Sequence, residues 1–215
     1  MKSILLVGLG RFGRYVAKAL NEQGHEVLAV DKNEGLVNDA LDYVTNAQIG
    51  DCTNERFVES LGVRNFDLCI VTIADDFQNS LETVSLLKDY GAPFVLARAS
   101  EDIHAKFLLR NGADDVVYLE KQMASWTAVT YSNDNIFDYM ELTDEYAIYE
   151  TPVPASWQGR TVVELEVRKK YDINVLATKK NGKLFPLSGA EHAFTADETL
   201  LLLGSRKNMQ KFLKL

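Results

Sequence analysis

Residues 3–7 form a strand-length apolar run, S-I-L-L-V, and lead without a spacer into Gly8-Leu9-Gly10-Arg11-Phe12-Gly13. No other junction in the chain constrains the fold as tightly. A helical pattern follows over residues 15–20, a second strand over residues 26–30, and Asp31 closes that strand. A glycine-rich hexapeptide alone says little. Set between a strand and a helix, with an acid about 20 residues later, it specifies a βαβ unit whose turn accepts a pyrophosphate. Gly8 permits the tight turn. Gly10 lets a phosphate come close to the backbone. Gly13 lets the helix pack against the strand. The helix N-terminus adds free N–H groups and partial positive charge. Asp31 can accept hydrogen bonds from ribose hydroxyls, and its charge disfavours a 2′-phosphate.

The remaining pattern extends that unit. Strands are expected over residues 44–49, 67–73, 94–97 and 116–119. Helices are expected over 53–61 with Thr53 as N-cap, over 78–90 and over 103–109. Six strands alternating with helices imply an α/β fold, a doubly wound parallel sheet of Rossmann type in the order 3-2-1-4-5-6. Its ligand crevice lies at the carboxyl ends of strands one and four. This domain spans residues 1–121.

The pattern then changes. Residues 122–142 carry Met123, Trp126, Val129, Ile136, Phe137 and Met140 at roughly helical spacing, interrupted by Ser132-Asn133-Asp134-Asn135. They read as one or two helices covering the first core, or as a crossover helix that packs on a second subunit. Residues 122–143 are therefore a linker, and residues 144–215 a small α+β module. In that module a strand is expected at 146–153 and a helix at 161–171 opened by a Thr161/Glu164 capping box. A strand at 173–179 turns at Asn181-Gly182 into a return strand at 183–187. A strand at 200–203 and a closing helix at 206–215 complete it.

Composition narrows the function. The net charge of −8 argues against a nucleic-acid-binding surface. No apolar run approaches the roughly 18 residues of a membrane span, and the N-terminus does not read as a signal peptide. The expected compartment is the cytoplasm. Cys52 and Cys69 form no metal spacing and no disulfide framework, and read as small core residues. A dehydrogenase needs a proton donor or acceptor beside its cofactor. His25, His104 and His192 do not fall at the carboxyl end of a sheet strand, and read as surface or capping residues. No nucleophile elbow, Walker lysine or Cys/His metal cluster is present. A nucleotide site without catalytic groups points to a ligand that is sensed and not consumed. The alternatives are an NAD(H)-dependent oxidoreductase and an NADH redox sensor.

Several further segments occur in a fixed order: Gly50-Asp51-Cys52-Thr53, Arg64-Asn65-Phe66-Asp67, Gly112-Ala113-Asp114, Glu120-Lys121-Gln122-Met123-Ala124, Lys170-Tyr171-Asp172-Ile173-Asn174-Val175 and Leu202-Leu203-Gly204. With the glycine loop and Asp31, they make the chain resemble the cytosolic regulatory subunits of Ktr/Trk potassium transporters. Those subunits join an N-terminal and a C-terminal RCK domain. The resemblance implies a homodimer that assembles into an octameric ring on an integral-membrane potassium-translocating subunit. The protein would then be peripheral at the inner face of the cell membrane without inserting into it, and would not be an enzyme. It implies that ATP and ADP compete for the crevice, with NAD(H) in some members. It places Gly8, Gly10, Phe12, Gly13, Asp31 and Lys32 around phosphates and ribose. Asp51, Cys52, Thr53, Ile73 and Ala74 fall around the adenine. Arg98, where the family often has lysine, faces the phosphates. Arg11 reaches the terminal phosphates, and Glu120 helps hold Mg²⁺ or another divalent cation. In the second module, the resemblance marks Arg168, Ile173, Asn174, Val175 and Pro186 for cyclic di-AMP. It is weakest over residues 185–194.

Overall fold

The computed structural model describes residues 1–187 and 191–214. Residues 188–190, inside the segment where the resemblance is weakest, and Leu215, the last residue of the expected closing helix, lie outside the described residues. The chain divides into two compact units, Met1–Lys121 and Gln122–Leu215.

In the first unit, β1 (Ser3–Val7), β2 (Glu26–Asp31), β3 (Asn46–Ile49), β4 (Leu68–Val71), β5 (Val95–Arg98) and β6 (Asp115–Val117) form one parallel sheet in the order β3-β2-β1-β4-β5-β6. Both faces are buried. Ile4, Leu6, Val27, Ala29 and Ile70 point to one side, Leu5, Val7, Val30, Cys69 and Val71 to the other. This is why the strands read as unbroken apolar runs. Helices α1 (Arg11–Glu22) and α2 (Glu34–Ala40) cover the first face through Ala17, Val37 and Ala40. Helices α3 (Glu55–Ser60), α4 (Phe77–Asp89) and α5 (Asp102–Arg110) cover the second through Val58, Val84, Leu87 and Leu108.

Three local expectations are corrected, and one element is added. Asn54, not Thr53, caps α3, its side chain accepting from the Phe57 N–H. The sixth strand ends at Val117, because Leu119 and Glu120 already belong to helix α6 (Leu119–Tyr131). Element α2, capped by Asn33, is one that the sequence pattern does not announce. His104, expected at the surface or as a cap, is 1% exposed, and its Nδ1 accepts the Ser100 N–H just ahead of α5.

Helix α6 runs on into the second unit but stops at Tyr131. The helical reading of residues 122–142 fails in its second half, where β7 (Asp138–Glu141) pairs antiparallel with β8 (Tyr146–Pro152). With β9 (Asn174–Lys180), β10 (Lys183–Pro186) and β11 (Thr199–Ser205), they form an antiparallel sheet in the order β10-β9-β11-β8-β7. The expected helix at 161–171 is broken into α7 (Val162–Leu165) and α8 (Val167–Tyr171) by Glu166, which takes a left-handed conformation with φ +48°. The Thr161/Glu164 capping box is present. Helix α9 (Arg206–Phe212) closes the unit. Trp157 anchors its core, with ring centroids 5.1 Å from Phe212, 5.8 Å from Tyr171 and 6.0 Å from Phe194.

Candidate nucleotide site

At the carboxyl ends of the parallel strands lies a cleft of about 710 Å³, within the range of small-molecule sites. The glycine loop forms its floor. Gly8 takes φ +99°, and its N–H donates to the Val30 carbonyl at 2.8 Å. The buried Thr72 hydroxyl bonds the Gly8 carbonyl at 2.8 Å from the end of β4. A Cβ on Gly8 would press on that hydroxyl oxygen at 2.7 Å. A Cβ on Gly13 would collide with the Gly8 carbonyl oxygen as well as with Thr72. These two glycines are therefore required by the fold.

Gly10 is different. Its φ is −59°, open to any residue, and a Cβ there would meet nothing within 4 Å. Neither backbone strain nor packing asks for glycine at this position. It lines the cleft at the N-cap of α1.

Asp31 has a structural task beside the expected one. Its Oδ2 accepts from the Leu9 N–H at 2.7 Å and its Oδ1 from the Asn33 N–H at 2.8 Å. The carboxylate thus ties the glycine loop to the start of α2. Each oxygen keeps a further lone pair for a ribose hydroxyl. Lys32 lines the cleft beside it.

On one side of the cleft, Asp51 closes a turn, its Oδ1 accepting from the Thr53 N–H and hydroxyl at 2.9 and 2.8 Å. Those two bonds hold its carboxyl below the usual carboxylate range. Cys52 borders the cleft but is 4% exposed. Burial, reinforced by Asp51 and Asp31, pushes its thiol up to about 12, so it is inert at neutral pH. Ile73 and Ala74 line the same cleft just past β4. Sequence reasoning missed their neighbours. Asp75 and Asp76 also border the cleft, and Asp76 caps α4 by accepting from the Asn79 N–H at 3.1 Å. A polar pair between a strand and a helix is the only sequence signal for them. Thr72, a lone hydroxyl at the end of an apolar run, gives even less.

The cationic side combines Arg11, at the first position of α1, with Arg98 at the end of β5. Arg11 has no ion-pair partner among the described residues, and the first turn of α1 holds no acid. A cation there opposes the helix dipole, which favours an anion nearby. Arg98 donates from Nη2 to Glu120 Oε1 at 2.7 Å, with its guanidinium 5.7 Å from the Phe12 ring centroid. The Glu120 carboxyl is held below its usual range by its own backbone N–H, then by Arg98.

Every first-unit residue singled out from the sequence lines this cleft except Gly13, which packs beneath it. None of the three histidines does. His25 accepts from the Lys2 N–H, His104 bonds Ser80 within the core, and His192 pairs with Glu198 in the second unit. No group of three His, Cys, Asp or Glu among the described residues is arranged to hold a metal. No described helix is long and apolar enough to cross a membrane. In the second unit, Arg168, Asn174 and Pro186 are exposed and Val175 is half-buried. Ile173 is fully buried in the core and offers no atom to a ligand.

Comparisons with known proteins agree with this architecture. Residues 4–119 match the TrkA-N domain family and residues 146–215 the TrkA-C domain family. The chain is 36% identical over 213 residues to Ktr system potassium uptake protein C of Bacillus subtilis (strain 168), covering 99% of this chain and 96% of that protein. It is 36% identical over 211 residues to Ktr system potassium uptake protein A of the same organism, covering 98% and 95%. Among solved structures, the GsuK channel bound to NAD aligns with a TM-score of 0.69 at 18% identity. That match covers 96% of this chain but only 38% of the channel, and it concerns the fold.

Proposed function

The chain belongs to the TrkA-type family of Ktr and Trk potassium-uptake proteins, and from that premise we propose that it is the regulatory, nucleotide-sensing subunit of such a system. The observation that carries the reading is Gly10, which lines the cleft although no atom of the chain lies where its Cβ would stand. Around it, Asp31 offers lone pairs to a ribose, and Arg11 and Arg98 offer charge to phosphates. In this reading the ligand acts as a signal and is not turned over.

ATP and ADP differ only in the γ-phosphate. A ligand with equal affinity for two conformations shifts neither, so the switch requires contacts that only ATP makes. Arg11, Arg98 and Lys32 are the cations that line the cleft, and Arg11 and Arg98 are the two assigned to those contacts. NAD(H) is the competing signal; the GsuK channel, part of which shares this fold, is known in a form bound to NAD. A divalent cation at Glu120 would draw its other ligands from phosphate oxygens and water. The working assembly in this reading is a homodimer built into an octameric ring against the cytoplasmic face of a membrane subunit that moves potassium. In the second unit, Arg168, Asn174, Val175 and Pro186 form the accessible set for cyclic di-AMP, without Ile173.

Titration calorimetry with ATP, ADP and NADH tests the proposal. Arg11→Ala is expected to weaken ATP by more than it weakens ADP. Equal losses would remove Arg11 from the switch. No binding of any of the three by the wild-type chain would remove the nucleotide reading itself.

A further inference from the structure

One buried imidazole joins two elements that border the cleft. Asn79, in the first turn of α4, and Arg98, at the end of β5, both line the cleft. Ser80 follows the first, and Ser100 lies two residues past the second. Both serines bond His104, in the first turn of α5, which is buried and does not line the cleft. The Ser80 hydroxyl donates to the Phe77 carbonyl at 2.9 Å, so its oxygen accepts from His104 Nε2–H at 2.7 Å. On the other edge, His104 Nδ1 accepts from the Ser100 N–H at 3.3 Å. A neutral imidazole offers one donor and one acceptor on separate edges of a rigid ring, as two partners on different elements demand. An amide carries both groups on one end, and a phenyl ring carries neither.

The tie to Ser100 runs through the backbone, so it acts on the chain two residues from Arg98. A second proton on Nδ1 replaces that tie with a bond to the Ser100 hydroxyl oxygen, 3.1 Å away. A rotatable side chain does not hold the backbone as the N–H bond does. The neighbours of the ring are few in kind. Glu101, at the N-cap of α5, is the charged group that acts on it, and it favours the proton. From α4 the ring meets Ser80 and the Phe77 ring, with centroids 4.9 Å apart, and neither carries charge.

We propose, building on the nucleotide reading above, that His104 is a positioning residue of the cleft: its neutral ring holds Asn79 and Arg98 in the arrangement that a nucleotide binds, and the protonated ring releases them. Binding and protonation then oppose each other. By linkage, the nucleotide makes the ring harder to protonate by the same factor by which protonation weakens the nucleotide. A direct electrostatic role has the opposite sign, because a charged imidazole attracts phosphates. A merely structural role leaves binding and protonation uncoupled.

The test follows the His104 imidazole by NMR in the full wild-type chain, with and without saturating ATP or ADP. With nucleotide bound, the ring should titrate about 0.5 pH unit lower, which by linkage is an affinity loss of about threefold once the ring is charged. This measurement needs no variant, so it stands even where His104→Gln does not fold. Calorimetry on His104→Gln adds a second readout. The phosphates' own titration is common to variant and wild type and drops out of the comparison. At pH 8 the variant should bind about threefold more weakly, within the range for one lost hydrogen bond, and the gap should narrow as wild type loses its own tie in acid. A ring titration that nucleotide leaves unchanged or moves upward, or equal affinities at pH 8, would overturn the proposal while leaving the nucleotide site standing. A wild type that binds none of ATP, ADP and NADH at pH 8 would overturn both.

Discussion

The first unit buries its sheet on both faces, with small and medium side chains shared between two layers: Ile4, Leu6 and Ala29 on one side, Leu5, Val7 and Ala97 on the other. The second unit buries one face. Along β11, Leu200 and Leu202 are fully covered while Leu201 and Leu203 alternate outward and stay partly exposed. Its covered side depends on four aromatic rings gathered at Trp157. A sheet enclosed by helices holds its strand ends in fixed relation, which a preformed cleft needs. A one-sided sheet built on a single aromatic centre has no such redundancy.

That contrast predicts the largest effect. Trp157→Ala should cost ~3–5 kcal/mol, the range for emptying a large aromatic site. Urea unfolding would measure it, and hydrogen exchange should show β8, β9 and β11 losing protection first. A loss below ~1 kcal/mol would break the claim that the second core is concentrated at this ring.

Within the first unit, two glycines of one motif sharpen the comparison. Gly13→Ala places a methyl against the Gly8 carbonyl and Thr72, and should cost ~1–3 kcal/mol by overpacking. Gly10→Ala meets no atom of the chain and should stay within ~1 kcal/mol of wild type, the scale of an N-cap change. It should nonetheless lose most of its stabilisation by saturating ATP or ADP in thermal melts. If Gly10→Ala retains that stabilisation, the ligand is not the reason for the glycine.

Legibility in the sequence follows the same divide. The glycine loop, Asp31 and the apolar strands could be read because their patterns are local and each has one physical cause. Thr72 could not, since its task is to reach back 64 residues to Gly8, and a single polar residue ending a strand looks like the start of any loop. Thr53 and Asn54 are both good N-caps; Asp51 engages the first and leaves the second to do the capping. Residues 136–140 carry Ile136 and Met140 at helical spacing, yet β7 is a strand because β8 supplies its hydrogen-bond ladder. That pairing has no local signature. Nor does the left-handed Glu166 that splits α7 from α8, since a non-glycine residue rarely takes that conformation. On the cationic side of the cleft, the two residues named from the sequence, Arg98 and Glu120, are in fact bonded to each other, which no spacing rule would have indicated.

The smallest predicted effect concerns His104, which the first unit encloses while the second leaves His192 part-exposed beside Glu198. The Ser80 hydroxyl donates to the Phe77 carbonyl at 2.9 Å, so it must accept from His104 Nε2–H at 2.7 Å. His104 Nδ1 in turn accepts from the Ser100 N–H at 3.3 Å. The network assigns a neutral ring with its proton on Nε2. A second proton on Nδ1 would break the bond from that N–H and turn instead to the Ser100 hydroxyl oxygen, 3.1 Å away. Burial pushes the imidazole below its usual value, with Glu101 opposing. The unfolded chain thus binds a proton that the folded chain refuses. Stability is complete above about pH 6.5 and falls as pH drops below that value, levelling off once the folded ring itself protonates. The slope of that decline for one group cannot exceed about 1.4 kcal/mol per pH unit. His104→Gln, which cannot titrate, should be less stable at pH 8 but show a shallower decline on acidification. Parallel stability curves for variant and wild type over that window would mean that the ring charges in place without breaking the Ser100 bond.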